Sequence, residues 1–180
     1  MSNRLHRQAS GFTLTELMVT VAIAAILAAI ALPSFSNVIR NSRMATATNN
    51  FIAAVNLARS EAVKTNRGAA ICASADGTSC GTDWAAGWMV FSDPNGDGVP
   101  QPAELVLRYE SVNGIAATSS SATRFRFAAR GECRDCNGGV FGAGTSDLVI
   151  RAVPCSVGQD QVRALRILRT GAVSFQKQVC

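Results

Sequence analysis

A twelve-residue stretch in the middle of the chain has the spacing of a calcium-binding loop. Residues 93–104 read DPNGDGVPQPAE, with oxygen-bearing side chains at positions 1, 3, 5 and 12 and a glycine at position 6. The candidate calcium ligands are Asp93, Asn95, Asp97 and Glu104. Three prolines in the loop and a strand-like segment before it favour the alternative, a turn between two strands. We therefore expect no cofactor, with calcium as the exception to test.

Six cysteines in 180 residues indicate an oxidising compartment. The C-x-x-C at 133–136 is compatible with a redox pair or half of a zinc site, but no second pair has the matching spacing. A thioredoxin-like βαβ unit is also missing from the pattern, so structural disulfides are the better interpretation. Fifteen pairings are possible, and proximity along the chain favours Cys72–Cys80, Cys133–Cys136 and Cys155–Cys180.

The basic side chains are concentrated in the last third of the chain. The net charge is +5, and residues 120–180 carry the whole excess, while residues 68–119 sum to −5. Alternation along strands would place several arginines on one exposed sheet face, where they could contact a DNA backbone. The candidates for this contact are Arg163, Arg166 and Arg169. The alternative is head-to-tail packing of subunits, with the acidic segment of one facing the basic segment of another.

No arrangement of residues for catalysis stands out. The single histidine, His6, lies near the N-terminus, and we find no nucleophile–base pair, phosphate loop or acid dyad. The sequence therefore predicts a protein that is not an enzyme.

The N-terminal segment predicts a membrane-spanning helix. Arg4 and Arg7 precede an apolar stretch in which Thr20 is the one polar residue between positions 17 and 32. About 21 residues before Pro33 make roughly 30 Å of helix, enough to cross a bilayer. Glu16 is costly there, so it either reaches the interface or has a positive partner inside an assembly.

Gly11-Phe12-Thr13-Leu14-Thr15-Glu16, followed by the apolar run, resembles the class III signal of type IV pilins and type II secretion pseudopilins. The resemblance implies that a prepilin peptidase cuts between Gly11 and Phe12 and that the new Phe12 amine is N-methylated. It also implies that Glu16 neutralises the N-terminal amine of a neighbouring subunit. The expected location is the bacterial inner membrane, crossed once, with a periplasmic head and then a place in a filament.

A second helical pattern follows Pro33 and leads into short strands. An apolar stripe at spacings of three and four, widened by Ile52 and Val63, ends at Lys64, Arg67 and Gly68. The stripe consists of Met44, Thr48, Phe51, Val55, Ala58 and Ala62. Strands are predicted at 69–73, 87–92, 105–110, 124–128, 148–153, 164–168 and 173–176. This is an α+β chain in which the second half of a long helix packs on an antiparallel sheet.

The resemblance implies four segments in this order: a leader at 1–11, a transmembrane or filament-core helix at 12–35, an amphipathic helix at 36–67 and a β-rich periplasmic head at 68–180. Residues 84–93, with Asn95, Asp97-Gly98 and the stretch from Glu104 to Arg108, are similar to the core signature of type H pseudopilins and FimT/FimU minor pilins. This similarity extends the pilin-like resemblance over most of the chain.

The resemblance implies a structural minor pilin of a type IV pilus, used in filament assembly or tip priming, with other pilins and the prepilin peptidase as partners. The first alternative is a type H minor pseudopilin of type II secretion, and the second is a DNA-binding minor pilin for transformation. DNA-uptake members carry a G-R-x-R motif near the end, where this chain reads Gly171-Ala172-Val173-Ser174. DNA is therefore a possible partner that we do not favour.

Overall fold

The computed structural model describes residues 12–111, 113–119, 122–136 and 147–180, without the side chains of 31–34 and 118–119. The predicted leader at 1–11, and with it Gly11, lies outside the described residues. The same is true of Ser120 and Ser121.

One long helix is followed by eight strands within the described residues. The helix α1 covers Leu14–Thr65, and two single 3-10 turns cover Trp84–Ala86 and Pro102–Glu104. The strands are β1 (Gly68–Ala73), β2 (Gly87–Asp93), β3 (Leu105–Glu110), β4 (Ile115–Ser119), β5 (Arg124–Phe127), β6 (Leu148–Ala152), β7 (Val162–Ile167) and β8 (Val173–Gln178). The predicted α+β fold class is confirmed.

The strands form two antiparallel sheets, where the sequence suggested one. The orders are β3-β2-β1-β5 and β4-β6-β7-β8. Strand β4 was missed because its residues, IAATS, include just one large β-forming side chain and two alanines. Hydrophobic periodicity identifies strands but does not state which strands pair, so the division into two sheets needed the structure.

The first unit of the chain, Met1–Ile39, contains the apolar half of α1. Its large apolar side chains from Phe12 to Ile30 are more than half exposed in this single chain, with Phe12 at 81%. By length and composition, this is the one helix in the described part that could span a membrane. The helix continues across Pro33, although a proline inside a helix removes one backbone hydrogen bond.

The second unit, Arg40–Cys180, is the head, and it has its own hydrophobic core. All six residues of the predicted stripe on α1 are buried. Phe51 lies at the centre, with its ring centroid 5.7 Å from that of Trp84 and 5.5 Å from that of Trp88. Val63 does not extend the stripe, since it is 51% exposed. It lies beyond Ala62 on the last turn of α1, near Gly131 of the loop after β5.

Three disulfides cross-link the head, and they join the cysteine pairs that were expected because they are close in the sequence. Cys72 bonds Cys80, Cys133 bonds Cys136 and Cys155 bonds Cys180, with Cα–Cα distances of 5.6, 5.6 and 5.8 Å. The last bridge ties the C-terminus to the segment before β7. The C-x-x-C motif is therefore a closed structural bridge in this state of the protein.

Candidate functional site

Two residues that the sequence predicts to take part in processing and assembly, Phe12 and Glu16, lie just before and within the first turn of α1. Thr13 caps the helix: its Oγ1 accepts from the backbone N–H of Glu16 at 3.3 Å, and its carbonyl accepts from that of Leu17 at 3.2 Å. Glu16 thus lies in the first turn, where the helix dipole favours a negative charge. Phe12 precedes the cap and is largely exposed.

The apolar half of α1 has few polar groups to satisfy. Thr20 donates its hydroxyl to the carbonyl of Leu17 at 2.9 Å, which removes it as an unpaired donor in hydrocarbon. Glu16 forms no salt bridge within the described part of the chain. Its carboxylate is therefore an exposed charge on the otherwise apolar first half of α1, available to a partner from another molecule.

In the loop at 93–104, the candidate calcium ligands form hydrogen bonds with other residues of the same loop. Asp93 is buried, and its Oδ1 accepts from the Gly98 N–H at 3.2 Å. Asn95 donates its side-chain amide to Asp97 Oδ2 at 2.7 Å, and Glu104 Oε2 accepts from the Gln101 N–H at 3.1 Å. In the residues that the structure describes, no three His, Cys, Asp or Glu side chains converge as a metal site would require. Calcium binding here stays a prediction.

Two arginines of β5 hold this loop against the sheet. Arg124 donates to the carbonyl of Gly98, and Arg126 Nη1 donates to that of Gly96 at 3.3 Å. Arg126 also forms a bidentate pair with Asp135, at 2.6 and 3.2 Å. The hydrogen bond from Asp135 raises the pKa of Arg126 above its usual value, with the charge of Asp93 adding to it. Two arginines of the basic last third, Arg124 and Arg126, therefore bind the acidic loop of the same chain.

The structure corrects the proposed DNA-binding set of Arg163, Arg166 and Arg169. Arg166 is 1% exposed and Arg163 is 9% exposed, so neither side chain can lie along a nucleic acid. Arg163 donates to the carbonyl of Asp160 at 2.8 Å, and burial lowers its pKa from the ordinary value. Only Arg169 is exposed. Strand β7 lies between β6 and β8 and is buried on both faces. The prediction assumed that alternate side chains of this strand face solvent, and neither face of β7 does.

Sequence reasoning missed a group of exposed arginines that the fold brings together. Arg67 follows α1, Arg130 and Arg134 lie in the loop after β5, and Arg169 lies between β7 and β8. We call these four residues the cationic end. They are separated by up to 102 positions in the sequence, so charge counting registered the excess but not the cluster.

Comparisons with known proteins agree with this architecture. The family model of type II transport protein GspH matches residues 47–171, and the prokaryotic N-terminal methylation motif matches residues 6–32. The comparison with curated proteins finds no match.

Among solved structures, the chain is similar to the type IV minor pilin FimU of Pseudomonas aeruginosa strain PAO1. The crystal structure in space group P21 is 20% identical over 76% of this chain and 90% of that chain, with a TM-score of 0.51. The structure in space group P65 is 20% identical over 73% and 90%, with a TM-score of 0.48. At this identity, the likeness concerns the fold. The family match, which covers most of the head including Phe51, Trp84 and Trp88, shows that the chain belongs to the family of type II transport protein GspH.

Proposed function

We propose that the chain is a minor pilin of a type IV pilus, a structural subunit used to assemble the filament or prime its tip. The observation that carries the proposal is the division of α1. Its first half exposes a nearly continuous apolar surface with one carboxylate, and its second half belongs to a folded head. A helix with these two halves suits a subunit that is first anchored in a membrane and later packs its apolar half against the helices of other subunits.

Processing supplies the positive charge that Glu16 needs. The match to the N-terminal methylation motif supports cleavage by a prepilin peptidase between Gly11 and Phe12, followed by methylation of the Phe12 amine. A methylated amine stays protonated near neutral pH, so the Glu16 carboxylate of one subunit can neutralise the Phe12 amine of its neighbour in a low-dielectric bundle.

The remaining expectations follow from this function. The subunit crosses the bacterial inner membrane once, holds its head in the periplasm and assembles with other pilins. The oxidising periplasm suits three disulfides. The work of the chain is contact formation and not catalysis.

A second candidate is a type H minor pseudopilin of type II secretion, because the matching family model carries the name of a transport protein. The two candidates differ in which process fails without the chain. A deletion strain that loses surface pili but secretes normally supports the pilus role. A deletion strain that retains pili and accumulates exoproteins in the periplasm supports the secretion role.

The test of the pilin function compares three side chains at position 16. Glu16→Gln keeps the size and removes the charge, so we expect normal membrane insertion but at least about a tenfold loss of the subunit from sheared filaments. Glu16→Asp retains the charge and should restore part of the incorporation. Mass spectrometry of the same fractions should show chains that start at methylated Phe12. An intact Met1 start, or normal filament incorporation of the Gln variant, would contradict this account.

A further inference from the structure

The cationic end lies where β1 begins. Gly68, the first residue of β1, follows Arg67 directly and pairs with Asp93. Ala69 pairs with Phe127 of β5, so the loop that holds Arg130 and Arg134 leaves the sheet beside it. The carbonyl of Arg169 accepts from the N–H of Cys133 at 2.9 Å, which brings the β7–β8 turn to the same place.

The backbone that carries these arginines is held in place. The Cys133–Cys136 disulfide closes the loop, and an isolated bridge pairs Cys133 with Phe127. Gly131 and Gly171 both have positive φ, and a Cβ on Gly171 would clash with the carbonyl of Gly131. Two segments therefore meet backbone to backbone here, and the arginines project from a fixed platform.

None of the four arginines of the cationic end forms a salt bridge within the described part of the chain. All twelve acidic residues of the sequence lie in the described part. There, Glu61 pairs with Lys64 at 3.6 Å and Asp135 pairs with Arg126, so neither of these carboxylates pairs with an arginine of the cationic end. The four arginines of the cationic end, all exposed, border two open clefts of about 280 and 650 Å³ that share Arg134. A concave surface with unpaired guanidinium groups suits carboxylates from another molecule.

The opposite end of the same sheet is acidic. Asp76 and Asp83 lie in the segment that joins the end of β1 to the start of β2, and Glu110 ends β3 where it pairs with Gly87. We call these three exposed residues the acidic end. Six residues of β1 separate the two ends, a distance of about 20 Å. Arg108 is a basic side chain at this end, where it donates to the carbonyl of Ala75 at 3.4 Å.

We propose that the cationic end of one copy docks on the acidic end of a second copy, head to tail. The inference rests on the proposed function, since it describes how the heads of a structural subunit contact each other. The two surfaces differ and lie at opposite ends of one sheet, so the contact is heterologous and can repeat without closing. Opposite charges on the two ends also fix the direction of stacking, because the same ends repel each other.

An acidic protein surface fits the cationic end better than a nucleic acid does. Glu132 is exposed between Arg130 and Arg134, and it would face a phosphate backbone with a like charge. In a protein interface the same glutamate can lie against Arg108, next to Asp76 on the acidic end. The buried positions of Arg163 and Arg166 also remove the arginines that would have extended a DNA track.

The first test maps the contact by photo-crosslinking. The full chain in detergent micelles receives p-benzoylphenylalanine in place of Thr170, which is exposed next to Arg169. We expect a dimeric adduct in which the linked peptide of the second copy comes from residues 74–86 or 109–111. Adducts confined to the cationic end of the second copy, or no dimeric adduct at all, would overturn the proposal.

The second test exchanges charges between the two ends. Arg134→Glu and Glu110→Arg should each weaken self-association of the full chain about fivefold, and the double variant should recover most of it. Lys177→Glu is the matched control, since it makes the same charge change on exposed β8 and should leave the dissociation constant unchanged. Equal weakening by Lys177→Glu, or no recovery in the double variant, contradicts the docking.

A parallel titration with duplex DNA separates the two partner classes. At about 0.15 M salt we expect weak DNA binding, with no difference between the unmodified chain and Arg134→Glu. Micromolar DNA binding that Arg134→Glu abolishes, with self-association unchanged, would overturn the proposal. The proposed function is judged separately by filament incorporation: a chain that self-associates but never enters filaments refutes the function and not the docking.

Discussion

The two halves of α1 share one secondary structure and differ in what surrounds them. In the first half, Leu14 and Ile30 are at least 70% exposed, while in the second half Phe51 and Val55 are completely buried. Both halves are rich in alanine and aliphatic residues. The difference therefore lies in what the rest of the chain provides and not in helix propensity, which is similar for both.

The pattern of apolar residues explains the difference. The second half places its apolar residues on one stripe and its arginines and asparagines on the other faces, so one side meets the sheets and the rest meets water. The first half is apolar all round, which suits surroundings that are apolar on every side. The two halves of α1 are thus suited to different environments, one to a folded head in water and the other to apolar surroundings. A substitution in one half should therefore leave the stability of the other half unchanged.

The largest expected effect is the loss of Phe51, which breaks the packed half alone. Phe51→Ala removes a ring that contacts Trp84 and Trp88, and we expect it to lower the free energy of unfolding by about 3–5 kcal/mol. Leu27→Ala, in the exposed half, should leave it within about 0.5 kcal/mol. Urea titrations followed by tryptophan fluorescence measure both. A similar loss in the two variants would mean that the halves are not independent.

Removal of the Cys155–Cys180 disulfide should have the next largest effect. The bridge closes a loop of 25 residues, so the chain-entropy estimate for the double variant Cys155→Ser, Cys180→Ser is a loss of about 3.5 kcal/mol. Val179→Ala, an exposed neighbour, is the control and should change little. Membrane insertion should be equal in all of these proteins. If the double variant matched the control in stability, the C-terminus would not be a structural tether.

The sequence was sufficient where local periodicity decides the outcome. The stripe on α1, seven of the eight strands and the alternation of Arg124-Phe125-Arg126-Phe127 depend on neighbours along the chain, and the buried rings of Phe125 and Phe127 agree with it. The three disulfides also join cysteines that are close in sequence.

Features that depend on distant residues could not be predicted in this way. The burial of Arg163 and Arg166 depends on β7 having a neighbour on each side and protein on both faces. The cationic end depends on Arg67 and Arg169, which are distant in the sequence, each bordering a cleft that Arg134 also borders. Charge totals for segments identified the basic excess of the last third but not the residues that form its exposed basic surface. One arginine of that third, Arg126, pairs with Asp135, and two others, Arg163 and Arg166, are buried.

A smaller effect should follow from neutralising Asp135. Its salt bridge with Arg126 is about one-third exposed, so Asp135→Asn should lower the free energy of unfolding by about 1 kcal/mol or less. The loop at 93–98 should also exchange its amide protons faster, since Arg126 donates to the carbonyl of Gly96. Glu132→Gln is the control on the same surface. An identical exchange rate in this loop for Asp135→Asn and the unmodified chain would show that Arg126 holds it without help from Asp135.

The smallest expected effect concerns acid stability and Asp76. Backbone hydrogen bonds from Thr78 and Ser79 hold the pKa of Asp76 well below its ordinary value of 3.8. Because the folded-state pKa is lowered, its contribution to stability is fully present above about pH 4. That contribution is lost as the pH falls below the unfolded value towards the folded one. Asp76→Asn retains most of the turn, but its side-chain amide cannot titrate. The urea midpoint of unfolding of this variant should therefore fall less between pH 4 and 2 than that of the unmodified chain. Asp83→Asn, measured alongside, separates this turn from a second carboxylate of the acidic end. Parallel curves for Asp76→Asn and the unmodified chain would refute the assignment.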